Sequence, residues 1–229
     1  AFDVAGFGTS LGVFRIEEGK SATQIVGIDP KVDDNGDLET DDAGNPIIET
    51  KQMGEGEADF NMSLSNNIKF YKNFELDFLF HWKKGGDNIN LSELLFDLGG
   101  TSNDFDDVDQ SVTDARLRAA GLSEDTPNGL TRRGLLGVTS SHLIQDASYL
   151  RLREIGLHYT IPLKFTSSYL SALKQVKVGV SANNILTITP YDSYDPEVSN
   201  FGNSAVGRGI EVTPFPATKE FYFHVNVDF

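Results

Sequence analysis

The sequence contains no cysteine, which excludes disulfide bridges, thiol catalysis and cysteine-based zinc sites. It also lacks any apolar run long enough for a spanning helix, so any membrane crossing would have to rest on strands. Cations are scarce, with 19 Lys and Arg against 34 Asp and Glu and a net charge of −15. A nucleic-acid partner needs a basic footprint, so that class of partner is excluded. Catalytic signatures are missing as well. His81, His142, His158 and His224 show no HExxH spacing, no serine sits in a nucleophile elbow, and Gly85-Gly86 and Gly99-Gly100 lack the Gly-Lys-Ser of a phosphate loop. The sequence therefore supports neither an enzyme nor a cofactor. It opens at Ala1 without a Met, a charged n-region or an apolar h-region, as expected of a mature, processed or internal stretch of chain.

What is present is alternation. Between 218 and 229, Phe221, Phe223, Val225, Val227 and Phe229 share one parity, and Tyr222, His224, Asn226 and Asp228 share the other. Successive strand side chains point to opposite faces, so this is a strand with one apolar and one polar side. The pattern recurs at 58–70, with Phe60, Met62, Leu64, Ile68 and Phe70 on one face, and at 74–83, with Phe74, Leu76, Phe78, Phe80 and Trp82. Only Tyr71-Lys72-Asn73 separates these two, which fits a hairpin. Further strands are read at 149–161 and 175–186. In the first, Leu150 and Leu152 switch parity relative to Ile155 and Leu157, through either a bulge near Glu154 or continuation of the strand above the membrane. Two more strands are read at 11–16 and 22–28, around Glu17-Glu18-Gly19-Lys20.

These strands exceed the usual soluble length, and their polar parity carries full charges that suit no sandwich core. Connection lengths alternate. Short ones fall at 17–20, 71–73 and 162–174, and long, acid-rich ones at 29–57, 84–146 and 187–217. Short turns at one end and long loops at the other are the pattern of an outer-membrane barrel with its long loops outside the cell. Aromatic residues near strand ends (Phe70, Tyr71, Phe74, Tyr159, Phe165 and Phe229) fit interfacial girdles or ordinary strand propensity. The fold class read here is all-β, an antiparallel transmembrane β-barrel with long extracellular loops.

Several stretches resemble the SusC/RagA family of TonB-dependent outer-membrane transporters of Bacteroidetes. Residues 145–162 read QDASYLRLREIGLHYTIP; residues 180–187 follow with VSANNILT; Tyr194-Asp195-Pro196-Glu197-Val198 lies beyond; the chain closes on 215–229. Ala58-Asp59-Phe60 and Tyr71-Lys72-Asn73-Phe74-Glu75-Leu76 are similar to an earlier hairpin of the family. The resemblance is concentrated in 54–86 and 139–229. His158 stands where the family usually has Gly, and Lys219-Glu220 replaces its common Arg-Thr.

The resemblance implies a 22-stranded barrel around a plug, of which residues 1–229 would be the C-terminal part with about seven strands. The plug and the TonB box would lie outside this chain. It further implies active import of large nutrients (glycans, oligosaccharides or oligopeptides) under a SusD-like lipoprotein lid, energised by TonB, in a dimer of transporter–lid pairs. Phe229 would end the signal read by the barrel-assembly machinery. A passive porin or structural barrel, and a soluble β carbohydrate-binding or adhesion module, are the competing readings.

Candidate sites are few. Aromatic rings can stack on sugars, which makes Trp82, Tyr191 and Tyr194 candidate substrate contacts, with the loop at 87–125. Trp82 shares the parity of Phe78 and Phe80 and suits an outer girdle as well. His81, His158 and His224 are read as polar lumen or interface residues. Asp33, Asn35 and Asp37 have the 1, 3, 5 spacing of a calcium loop, but Leu38 and Gly44 occupy the positions that need Gly and Glu. A solvated acidic turn is the alternative, and Asp41-Asp42-Ala43-Gly44-Asn45-Pro46 reads as a second turn. Arg132-Arg133, Arg151 and Arg153 are either lipopolysaccharide-phosphate contacts or ordinary solvated charges.

Overall fold

The computed structural model describes residues 1–109, 112–162, 173–197, 199–201, 208–215 and 217–229. Phe165, Val198 and most of the short connection expected at 162–174 lie outside the described residues. The chain divides into two units. The loop unit comprises Ala1–Asp59, Gly85–Ala147 and Tyr191–Pro216; the strand unit comprises Phe60–Lys84, Ser148–Pro190 and Ala217–Phe229.

The strand unit is one antiparallel sheet. Its strands are β5 (Ala58–Phe70), β6 (Phe74–Gly85), β9 (Tyr149–Ile161), β10 (Gln175–Ile188) and β12 (Glu220–Asp228), in the order β12-β10-β9-β6-β5. These five are the strongly alternating segments of the sequence. The β5–β6 turn places Tyr71 and Lys72 at positive φ, and Asn73 N–H donates to Tyr71 C=O at 2.8 Å. The parity switch in β9 is a bulge. Leu79 pairs with Glu154 but Phe80 pairs with Leu152, and β10 also shifts between Asn183 and Leu186. The extra residue, Arg153, resets the faces above it.

The loop unit is built from what the sequence reading treats as connections. β1 (Phe2–Gly6), β2 (Val13–Ile16), β3 (Gln24–Pro30) and β4 (Ile48–Glu55) form a separate four-stranded meander in chain order. The strands expected at 11–16 and 22–28 therefore exist, but not in the long-strand sheet, which holds five of the expected seven. β3 is buried at every position, so it carries no lipid-facing alternation. β7 (Asp87–Asn90), β8 (Ile144–Asp146) and β11 (Ile210–Glu211) form a small mixed sheet, with β11 parallel to β7.

Among its described residues the loop unit also holds the α-helices α1 (Leu91–Gly99), α2 (Asp114–Ala120) and α3 (Asn128–Gly134) and a 3-10 turn at Ser141–Leu143. Asn90 caps α1 by accepting from Glu93 N–H at 3.2 Å, and Gly100 ends it in the left-handed region at φ 66. The core of this unit joins Phe14, Ile25, Ile89, Leu91, Leu94, Leu143 and Ile210. Those residues come from all three of its sequence-separated segments, so burying them is what holds the segments together.

Candidate transport surface

Register aligns the two parities into rows that cross the sheet. Phe74, Tyr159, Val178 and Val225 make one apolar row; Leu76, Leu157, Val180 and Phe223 make the next; Phe78, Ile155, Ala182 and Phe221 make a third. Between them run Glu75, His158, Gly179 and His224, then Asp77, Gly156, Ser181 and Tyr222. Each strand contributes to the same face at the same level, as its register requires.

The apolar face is open. Phe223 is 73 % exposed and Val180 53 %, and Met62, Leu64, Ile68, Leu157 and Phe221 are exposed as well. A soluble surface rarely leaves so continuous an apolar patch bare. The polar face pairs most of its charges internally, although His158 Nδ1 is buried without a hydrogen-bond partner. Lys177 Nζ donates to Glu75 Oε2 at 2.6 Å, and Asn67 Nδ2 donates to Glu75 Oε1 at 2.7 Å. His158 Nε2 lies 3.2 Å from Asp77 Oδ1, His224 Nε2 is 2.8 Å from Ser181 Oγ, and the two imidazoles are 5.4 Å apart between centroids. Gly179 and Gly156 make room for this row. A Cβ at Gly179 would strike the His158 ring, and one at Gly156 would strike the Asp77 carboxylate.

Further along the same face, Tyr149 Oη is 3.1 Å from His81 Nδ1, and Arg153 Nη2 donates to Tyr149 Oη at 3.3 Å. Both Arg151 and Arg153 lie against the Tyr149 ring. Arg151 is buried, so the expectation that it meets lipopolysaccharide phosphates fails: its guanidinium packs inside the strand unit. His81, His158 and His224 do take polar-face positions. The Glu75–Lys177 pair was missed in the sequence, although Glu75 and Lys177 both sit on polar parities; only register shows that they meet.

The loop unit carries a buried ion network. Arg132 donates to Asp97 through Nε and Nη2 at 2.7 Å each, and to Asp104 through Nη1 at 2.7 Å and Nη2 at 2.8 Å. Glu93 Oε1 lies 3.2 Å from Arg132 Nε, and Gln145 Nε2 donates to Glu93 Oε2 at 2.8 Å. Arg132 therefore does not face lipopolysaccharide either; three carboxylates enclose it.

The network shifts its members' proton affinities. Hydrogen bonding from Arg132 lowers Asp104 to about 2. Burial raises Glu93 to about 7 against the pull of Arg132. Burial, reinforced by the Arg132 charge, lowers His142 to about 4. A second buried pair joins Asp29 to Arg116 at 2.8 and 2.9 Å and to Lys51 at 2.9 Å. Burial alone would raise the Asp29 carboxyl, but its hydrogen bonds from Arg116, Lys51 and Thr139 hold it below the usual range.

The candidate ligand contacts are divided between the units, Trp82 in the strand unit and Tyr191 and Tyr194 in the loop unit. Trp82 lies on the apolar face of β6, 46 % exposed, with its ring edge-on to Phe60 at 4.9 Å. Tyr191 is 4 % exposed and its hydroxyl donates to Glu211 Oε2 at 2.7 Å, so its ring is packed in the loop unit rather than offered to a ligand. Tyr194 is 51 % exposed and stands edge-on to Phe96 at 6.1 Å. Phe229 is exposed and follows β12.

Asp33, Asn35 and Asp37 form an Asx-type turn. Asp33 Oδ1 accepts from Asn35 N–H and Asp37 N–H at 2.9 Å each. Asp41 repeats the arrangement eight residues on, accepting from Ala43 N–H at 2.9 Å and Asn45 N–H at 2.8 Å. The acidic spacing is accounted for by two tandem self-capped turns. Among the described residues no group of three His, Cys, Asp or Glu is arranged to hold a metal ion.

No family model matches the chain. TonB-dependent receptor P3 of Formosa agariphila is 29% identical over 205 residues, which is 86% of this chain and 19% of that receptor. TonB-dependent receptor P26 of the same organism is 25% identical over 236 residues, covering 96% and 22%. Among solved structures, the RagAB peptide importer in its closed-closed state superposes with a TM-score of 0.57 at 17% identity, over 97% of this chain and 24% of that one. The RagAB peptide transporter gives 0.56 at 18% identity, over 96% and 24%.

Fold and sequence together describe a β-rich chain similar to a segment of TonB-dependent receptors. Within that class, the resemblance to the SusC/RagA family read from 54–86 and 139–229 is borne out. The chain spans about a fifth of the length of the curated relatives it matches.

Proposed function

We propose that this chain is the C-terminal barrel segment of a SusC-like outer-membrane importer. The observation that carries the reading is the two-faced sheet, with apolar rows exposed across neighbouring strands and charged rows on the other side. In a bilayer the apolar rows would meet lipid, and the Glu75–Lys177 and Asp77–His158 rows would line the lumen. Open sheet edges are not tolerated in hydrocarbon, so the five strands would close into a barrel with strands from the rest of the receptor. The segments of the loop unit would face the cell exterior.

The cargo would be a large nutrient. The similar RagAB structures are of a peptide importer, which favours oligopeptides over oligosaccharides. A SusD-like lipoprotein would cover the transporter, and TonB would energise it through parts outside these residues. The cargo would cross with no bond made or broken.

These 229 residues contribute no cysteine of their own, so a direct test starts from the whole receptor with any cysteine elsewhere replaced. Single cysteines at Val180 and Ser181 in the whole receptor, labelled with an environment-sensitive dye and reconstituted in vesicles, should respond oppositely. A lipid-borne quencher should quench position 180 and spare position 181. Equal quenching at both, or full access of both to a water-soluble quencher, would favour a soluble β module. Growth of a receptor-deleted strain on oligopeptides and on oligosaccharides would then separate the two cargo classes, and unimpaired growth on both would favour a passive barrel.

A further inference from the structure

The sequence holds two Asn-Gly pairs, Asn35-Gly36 and Asn128-Gly129, and their surroundings are opposite. Asn35 and Gly36 are both exposed. Gly36 sits at φ +85, and nothing lies within 4 Å of the place its Cβ would occupy. The Asn35 carboxamide makes one long contact, from Nδ2 to Asp33 Oδ2 at 3.4 Å, and Gly36 N–H donates to Asp33 C=O at 3.0 Å across the exposed turn.

Asn128 is 1 % exposed. Its Nδ2 donates to Asp104 at 3.0 Å and Asp109 at 2.8 Å, and its Oδ1 accepts from Asp109 N–H at 3.2 Å. Gly129 N–H donates to Phe105 C=O at 3.1 Å beneath the Phe105 ring, in the first turn of α3.

We propose that Asn35 is a spontaneous deamidation site and that the fold protects Asn128. The Gly36 nitrogen attacks Asn35 Cγ; a C–N bond forms, the Cγ–Nδ2 bond breaks, and Nδ2 leaves as ammonia with the amide proton. Water then opens the cyclic imide at either carbonyl, giving Asp or isoAsp. The attack needs the carboxamide to turn and the nitrogen to approach. At Asn35 this requires opening one solvent-exposed turn bond, whereas at Asn128 it requires breaking three side-chain bonds in a buried site.

The second turn is a built-in control, because Ala43 stands where Asn35 stands and Asn45 precedes Pro46, whose nitrogen carries no proton. Either product adds a negative charge to the acidic loop. The isoAsp product also inserts a main-chain methylene between the two N–H groups that Asp33 caps.

The test is peptide mapping of the whole receptor, aged in detergent at mildly alkaline pH, against a synthetic peptide of residues 32–51. The fragment containing Asn35 should gain about one mass unit at a rate within about tenfold of the peptide, a barrier difference of about 1.4 kcal/mol or less. The fragment containing Asn128 should stay unchanged over the same period. An Asn35→Ala variant, copying the second turn, should abolish the gain. No gain at Asn35 while the peptide converts, or conversion of Asn128 at the same rate, would overturn the proposal.

Discussion

The two units bury and expose opposite things. The loop unit carries 29 acidic and 9 basic residues, a net charge of −20, yet hides Arg132, Asp97, Asp29 and Glu211 among its apolar core. The strand unit carries 5 acidic and 10 basic residues, a net charge of +5, and leaves Phe223, Phe221 and Val180 in the open. One unit satisfies the ordinary rule for water, apolar groups inside and charge outside, with these internal charges either ion-paired or, for Glu211, held by the Tyr191 and Ser193 hydroxyls. The other inverts it on one face. A single chain thus reads as if written for two solvents, and that inversion argues for lipid more directly than any composition value does.

The largest effect expected from breaking this contrast is Arg132→Met. It strands Asp97 and Glu93 without their cation, which should destabilise the loop unit by about 3–5 kcal/mol. Hydrogen exchange on the whole receptor should show lost protection in α1 and α3, with amides of β9 and β10 unchanged. Loss in the sheet as well would show that the two units are one energetic block.

Next comes Leu157→Arg in a central apolar row. In the barrel proposed above, where this row would meet lipid, the charge should cost about 2–4 kcal/mol, read as less heat-modifiable receptor in the outer membrane. The same charge at Ser181, in the polar row, should have a much smaller effect. Equal damage at both positions would erase the distinction between the faces.

The smallest effect is a pH dependence hidden by cancellation. Glu93 stands at about 7 in the fold against 4.5 ordinarily, so its contribution is full below pH 4.5 and lost as pH rises through 7. His142 stands at about 4 against 6.5, so its contribution is full above pH 6.5 and lost as pH falls through 4. Between pH 4.5 and 6.5 the two slopes oppose. Glu93→Gln should leave a loop unit that weakens with acid, and His142→Gln one that strengthens with acid, each by up to about 1.4 kcal/mol per pH unit. A steep profile in the parent and flat profiles in both variants would show that other groups set the dependence.

Legibility in the sequence divides along the same boundary. β5 and β9 match the alternating segments at both ends, and β6, β10 and β12 match to within about two residues. Period-two patterning reports local geometry and is written in neighbouring residues. The loop unit is joined by contacts such as Ser140 Oγ accepting from Ile28 N–H at 2.8 Å, and Phe14 and Ile25 in one core with Ile210. No local pattern announces a pairing across such separations. β2 and β3 read as barrel strands in the sequence because a short strand in either sheet carries the same signal. α1 was legible in principle: Leu91, Leu94, Leu95 and Leu98 share a helical stripe, between an Asn cap and two glycines. The ring-bearing residues were legible as aromatic but not as buried or exposed, so Tyr191 and Tyr194 read alike and sit differently.

The vacant Cβ positions of Gly156 and Gly179 have a consequence for how far the polar face stands off its backbone. Each strand lends its neighbour a notch, so Asp77 and His158 fold flat against the backbone instead of standing off it. One added methyl at residue 179 would push the His158 imidazole away from the wall. The clearance above this polar face can thus be retuned by a single carbon, with strand number and charge left as they are.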